Sequence, residues 1–178
     1  MKLNLFSVPI WVGNIDSSKI ILEEKQIQNS FDSEVKSSYN DECLSIQEES
    51  LNYLYQIVVN LLNQEIIGSY EVKLNNIWSN YYEESDFQEN HIHAGSDISF
   101  IIYKKINESR TVFVNPAGRI LDAFYSPCKI KTQLFGGVHV KPECRENQII
   151  IFPSFLEHFV QKTNDSITIA GNMNLTFQ

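Results

Sequence analysis

Asn90-His91-Ile92-His93-Ala94-Gly95-Ser96-Asp97-Ile98-Ser99-Phe100-Ile101-Ile102-Tyr103 places a histidine pair directly ahead of an apolar run. Successive side chains of an extended strand alternate between faces, so His91 and His93 project to the same side. The run that follows is short and rich in β-branched and aromatic residues, and it reads as a strand over 98–104.

The same texture extends from Glu71 to the end of the sequence. Strands are expected at 71–82, 98–104, 111–115, 130–135, 138–141, 148–152, 158–162 and 166–177, separated by turns such as Asn115-Pro116-Ala117-Gly118 and Gly136-Gly137. Upstream, Ser45 to about Ile67 predicts an amphipathic helix. Ser45-Ile46-Gln47-Glu48 fits a capping box, Leu51, Leu54, Tyr55, Val58, Leu61, Leu62 and Ile66 recur at helical steps, and Gly68 can end it. Phe6 to Gly13 suits an edge strand that tolerates Pro9, and the polar stretch from Asn14 to Glu42 reads as a short helix and a loop. The expected product is one domain over 1–178, mainly β with a helical flank. Residues 1–70 would supply an N-terminal strand and helical buttress, and 71–178 a sandwich or jelly-roll core.

Composition narrows the function classes. With 43% hydrophobic and 20% charged residues the chain is an ordinary globular sequence. Its formal net charge of -8 argues against general binding to nucleic acid or to anionic membranes, which needs clustered cations. No apolar run approaches the ~20 residues that span a bilayer. Met1 to Phe6 lacks the apolar core of a secretory signal, and Cys43, Cys128 and Cys144 are too dispersed for a disulfide framework. These features point to a cytoplasmic protein with reduced thiols.

Two imidazoles on one strand face can ligate one metal, and a third ligand must then come from a later strand. His158, just beyond the buried-looking Ile149-Ile150-Ile151-Phe152-Pro153, is the natural candidate. His139, flanked by Val138 and Val140, reads as a surface or satisfied core histidine. Spacing alone is weak support, because His-x-His pairs also arise by chance.

A wider pattern adds to it. Trp78-Ser79-Asn80-Tyr81-Tyr82, Phe87-Gln88-Glu89-Asn90-His91-Ile92-His93 and Asp97-Ile98-Ser99-Phe100-Ile101-Ile102-Tyr103 resemble, in order, the W-x-N-x-Y, H-x-H-P-x-S and L-S-G-x-Y-Y segments of one family. Phe6-Ser7-Val8-Pro9-Ile10-Trp11 is similar to its opening F-P-T-P-V. Ile149 to His158 resembles its I-x-F-P-S-x-L-x-H segment, and Ile167 to Asn172 its closing I-S-x-x-F-N strand. That family is the 2-oxoglutarate/Fe(II)-dependent oxygenases common in marine bacteria and their phages. The resemblance implies a double-stranded β-helix (cupin-like jelly roll) carrying Fe(II) on His91, His93 and His158. It also implies 2-oxoglutarate as cosubstrate, and hydroxylation of a peptide side chain or small metabolite.

Two departures stand out. The family places an Arg in R-x-S ahead of the last strand, where a planar guanidinium can pair bidentately with the distal carboxylate of 2-oxoglutarate. Here Ser166 and Thr168 occupy those positions, which leaves Lys162, Lys104 or Arg119 to supply charge from elsewhere. In the wider superfamily the near pair is His-x-Asp, and His93 stands at that Asp. Asp97 shares the parity of the pair and is a rival ligand, although Gly95 is expected to bend the chain between them. Tyr103 and Asn172 are further candidates to bind the cosubstrate, with core packing and a structural hydrogen bond as their ordinary roles. Trp78, Tyr81, Tyr82 and Phe87 read as core or as a substrate entrance. A cupin-type metalloenzyme without 2-oxoglutarate, or a non-catalytic binding protein on the same fold, fits the same ligands. The N-terminal edge strand suits a homodimer.

Overall fold

The computed structural model describes residues 7–23, 28–29, 35–39, 46–118, 137–162 and 165–178. Phe6, Ser45, Cys43, Arg119, Cys128, Gly136 and the strand expected at 130–135 lie outside them.

Eleven strands are present among the described residues: β1 (Trp11–Asn14), β2 (Gln28–Asn29), β3 (Lys36–Ser37), β4 (Tyr70–Tyr82), β5 (Gln88–His91), β6 (Ile98–Lys105), β7 (Thr111–Val114), β8 (His139–Val140), β9 (Gln148–Pro153), β10 (His158–Val160) and β11 (Ser166–Phe177). They form a seven-stranded sheet in the order β1-β9-β6-β11-β4-β3-β2 and a four-stranded sheet in the order β5-β10-β7-β8. Every pairing is antiparallel. Apart from the runs β4-β3-β2 and β7-β8, neighbours are not consecutive in the sequence, as in a jelly roll, where strands from distant parts of the chain interleave.

One helix, α1 (Glu48–Leu62), covers the outer face of the large sheet. Leu54, Val58 and Leu62 are fully buried against Leu74, Phe100, Ile102, Ile149 and Ile151. The neighbouring residues Ile101, Tyr103, Ile150 and Phe152 turn the other way and pack with Trp78, Phe113 and Ala170. β6 and β9 are therefore buried on both faces. That explains why they read as continuous apolar runs rather than alternating ones.

The helix is shorter than its sequence suggests. Its N-cap is Gln47, which makes no side-chain capping bond, and its C-cap is Asn63, whose amide donates to Val59 O. The expected Ser45 cap and Gly68 stop are replaced by this narrower span. The turns after Leu62 keep only local bonds, such as Ile66 N to Leu62 O at 2.9 Å, and Ile67 is 98% exposed with no packing to hold a further helical turn. Gly68 does adopt a positive φ of 121°, but in the link to β4. Within the polar segment, the short helix is a 3-10 turn at Ser17–Lys19, and the loop also contributes β2 and β3, which carry no apolar alternation to reveal them.

The first 70 residues thus add three strands as well as the helix. β1 forms the expected edge next to β9, with Trp11 opposite Ile151. β5 was not foreseen as a separate strand, because Gln88-Glu89-Asn90-His91 is polar throughout.

Candidate metal centre

The two sheets bring the histidines together. β5 ends at His91 and β10 begins at His158, and these two residues are register partners. His93 lies two residues past β5, and its backbone amide donates to Ser154 O at 2.9 Å. Gly95, at φ 84°, then bends the chain toward β6. The ring centroids are 4.3 Å apart for His91–His158, 5.0 Å for His93–His158 and 5.3 Å for His91–His93. One ligand nitrogen from each lies within 4.8 Å of the other two, the proximity that a shared metal ion requires.

Hydrogen bonds set the tautomers. His91 Nδ1 is 2.7 Å from Glu89 O, and His158 Nδ1 is 3.0 Å from Leu156 O. A carbonyl only accepts, so both Nδ1 atoms carry the proton and Nε2 bears the lone pair. His93 Nδ1 lies 2.5 Å from Asn172 Oδ1. The Asn172 amide is oriented by its Nδ2, which donates to Asn76 Oδ1 at 2.8 Å, so its oxygen faces His93. Ser99 Oγ also donates to Asn172 Oδ1, at 2.8 Å. Its single proton being spent, the 2.7 Å contact with Ser154 Oγ must have Ser154 as donor. Ser154, Ser99 and Asn172 therefore form a directed relay that locks the His93 ring. Such outer partners commonly fix metal-binding imidazoles.

Burial keeps the rings neutral. Desolvation lowers His91, carries His93 down to about 4 and holds His158 well below the usual histidine range. Phe152 and Phe113 pack on His158 with centroids at 4.8 and 5.7 Å, and Trp78 stacks on His93 at 5.7 Å. Neutral, preoriented imidazoles are the form that binds a metal cation.

The histidines open onto a cavity of about 350 Å³ between the sheets. Its wall on β11 is Ser166, Thr168, Ala170 and Asn172, and on β4 it is Asn76, Trp78, Asn80 and Tyr82, each set sharing one strand face. Tyr103 is also in the wall. Its phenol donates to Thr111 Oγ1 at 3.0 Å and accepts from Ser109 Oγ at 3.1 Å, bridging the two sheets. Thr168 hydrogen-bonds the Tyr82 phenol, which donates to Gln88 Oε1 at 2.6 Å. Burial raises both phenols, so they remain protonated donors. The buried Trp78 indole N–H has no acceptor among the described residues and borders the same cavity, a place for a ligand oxygen.

Other candidates lie elsewhere. The Asp97 carboxylate accepts the Leu175 amide at 2.8 Å and is not in the histidine cluster. Lys104 and Lys162 are exposed and do not border the cavity. Tyr81 is half-buried and Phe87 exposed, while His139 is exposed against Phe159. Ser99, Ser154 and Arg110 were not singled out in the sequence. Ser99 and Ser154 fall on the L-S-G and F-P-S positions of the quoted segments, which could have pointed to them, whereas Arg110 is marked only by its place in space.

Comparison with known proteins decides the family. The sequence profile described as "Putative 2OG-Fe(II) oxygenase" matches residues 76–172, more than half of the chain. The chain belongs to the 2OG-Fe(II) oxygenase family. No curated protein matches the oxygenase in sequence. Among solved structures, HygX from Streptomyces hygroscopicus, with nickel, 2-oxoglutarate and hygromycin B bound, is similar at a TM-score of 0.54 and 8% identity, covering 94% of this chain and 83% of its own. A prolyl hydroxylase from Trichoplax adhaerens, in complex with a hypoxia inducible factor peptide fragment, gives 0.54 and 13%, covering 93% and 83%. An oxidoreductase of the same family from Burkholderia pseudomallei gives 0.50 and 10%, covering 93% and 68%. At such identities the likeness establishes the double-stranded β-helix fold, and the family match establishes a 2-oxoglutarate- and Fe(II)-dependent oxygenase. That choice goes against the cupin-type and non-catalytic alternatives.

Proposed function

We propose that His91, His93 and His158 are the iron ligands of this oxygenase, and that it hydroxylates a peptide side chain or a small metabolite. The observation that carries the reading is the convergence of three neutral imidazoles, each held through Nδ1 by a fixed acceptor. Three histidines leave coordination positions for exogenous ligands, and the cavity beside them supplies the space. Iron with 2-oxoglutarate and O2 supplies the oxidising power for inserting oxygen into a substrate C–H bond. The chain's own part is geometric. The Ser154–Ser99–Asn172 relay orients His93, Phe113 and Phe152 keep water from His158, and Trp78 offers an N–H to a ligand oxygen.

In the same reading, Tyr103, Ser166, Thr168 and Asn172 border the cosubstrate. All four line one cavity with the histidines, and a carboxylate there would draw the Tyr103 proton away from Thr111 Oγ1. The exposed Ile92 and Phe155 line a depression beside His91 and would offer the substrate an apolar surface next to the site. Residues 1–178 then act as one domain, supported by β1, β3 and α1 packing onto strands of the 71–178 core. Among the described residues, no helix is long and apolar enough to cross a membrane. A cytoplasmic setting agrees with Cys144 being a free, buried thiol. Among the described residues β1 is an edge strand, which suits pairing in a homodimer that sedimentation would detect.

The test is metal content after purification without chelators, together with anaerobic addition of Fe(II) and 2-oxoglutarate. The wild-type protein should bind one equivalent and develop the visible charge-transfer band of the chelate. His91→Ala and His158→Ala should lose both. Unchanged metal content in the two variants would reject the ligand assignment.

A further inference from the structure

The family's carboxylate-anchoring Arg is replaced by Ser166, yet one cationic side chain does border the cavity. Among the described residues it is Arg110, immediately before β7 in the facing sheet. Its neighbours Ser109 and Thr111 both hydrogen-bond the Tyr103 phenol. Tyr103 is in turn the register partner of Thr168 on β11. Arg110 thus borders the end of the cavity to which residues 166 and 168 contribute, but enters it from the opposite wall.

The strand register also gives a spacing. β7 and β10 pair with Phe113 opposite His158 and Thr111 opposite Val160. Thr111 therefore lies two residues, or roughly 6.6 Å, along the strand from the level of the metal-site histidine. A five-carbon diacid chelating an ion at the histidines would extend its far carboxylate toward that level, within the reach of an arginine side chain.

Arg110 has a partner to release. Its guanidinium pairs with Glu108 Oε1, while Lys141 Nζ lies 3.5 Å from Glu108 Oε2. Glu108 would keep the lysine as counter-ion if Arg110 turned inward. All three side chains are partly exposed, so the exchange costs little.

We propose that Arg110 is the anchor for the distal carboxylate of 2-oxoglutarate, and that Glu108 holds it in reserve until the cosubstrate arrives. This rests on the three-histidine iron reading above. The guanidinium would take up the role lost at position 166, with Tyr103, Thr111 and Thr168 as hydroxyl neighbours.

Calorimetry on the Mn(II)-loaded protein under anaerobic conditions tests this without turnover. Two ligands are compared: 2-oxoglutarate, and 2-oxovalerate, which has the same carbon chain but ends in a methyl group. Arg110→Gln should weaken 2-oxoglutarate at least roughly tenfold, the loss expected for one charge-assisted pair, and leave 2-oxovalerate unchanged. Glu108→Gln, which frees the arginine, should tighten 2-oxoglutarate. Retained Mn(II) affinity and melting temperature in the variants show that fold and centre are intact. Equal 2-oxoglutarate affinity in wild type and Arg110→Gln would overturn the anchor, as would a parallel loss of both ligands. A wild-type protein that takes up no Mn(II) or Fe(II) would instead overturn the functional reading, and the anchor with it.

Discussion

At the residue scale, the centre depends on hydrogen bonds that fix which nitrogen of each imidazole bears its lone pair. Asn172 is the most informative test because it touches His93 without belonging to the proposed ligand set. Asn172→Ala removes the acceptor and breaks the relay from Ser154. Metal affinity should fall by about 10- to 100-fold, the usual cost of losing an outer-sphere partner, and a competitive Co(II) titration would measure it. The same histidines make the metal-free protein acid-sensitive. Their folded pKa values are depressed by burial, that of His93 to about 4, so the unfolded chain binds more protons as pH falls below about 6.5. Stability from keeping them neutral is complete above that pH and is lost as pH drops toward 4. Thermal melts of the metal-free protein should show a falling midpoint between pH 7 and pH 5. His93→Gln should flatten the slope.

At the scale of elements, the closing strand β11 meets both β4 and β6 and cannot shift. Gly171 sits where this packing is tightest. A Cβ there would come within 2.5 Å of Phe100 Cζ and 2.7 Å of Asn76 O. Asn76 also holds the Asn172 amide, so crowding at Gly171 reaches the His93 relay. Gly171→Ala should destabilise the fold by about 1–3 kcal/mol through overpacking and weaken metal binding as well. Urea unfolding and metal titration would read the two effects separately. The helix gives the contrast. Leu54 is a fully buried residue of α1, packed on the outer face of the sheet and absent from the cavity wall. Leu54→Ala should cost about 2–5 kcal/mol while the folded fraction keeps its metal affinity.

At the scale of the whole molecule, the site lies between two sheets whose histidines come from β10 and from the end of β5 and the segment beyond it. Metal binding therefore ties distant parts of the chain together and should stabilise all of it. A ligand at a hundredfold its dissociation constant adds about 2.7 kcal/mol. The melting midpoint should rise with added Mn(II), rise further with 2-oxoglutarate, and stay flat in His158→Ala.

The sequence by itself determined the strands that are buried on at least one face and the helix that covers them, and it singled out the three histidines that the fold brings together. Those features rest on local periodicity and on side-chain chemistry, both of which are written along the chain. It did not disclose β2, β3 or β5, whose residues are polar and which exist because neighbouring strands offer a ladder. Nor did it reveal the narrower helix ends, the tethering of Asp97 to Leu175, or the Ser154–Ser99–Asn172 relay. These are contacts between residues up to 79 positions apart. The tertiary structure also placed Arg110 beside the cavity, a position with no motif around it. A candidate ligand set can be picked out by residue type and spacing. What orients it and what charge faces it depend on how the sheets close, and that is a property of three-dimensional packing alone.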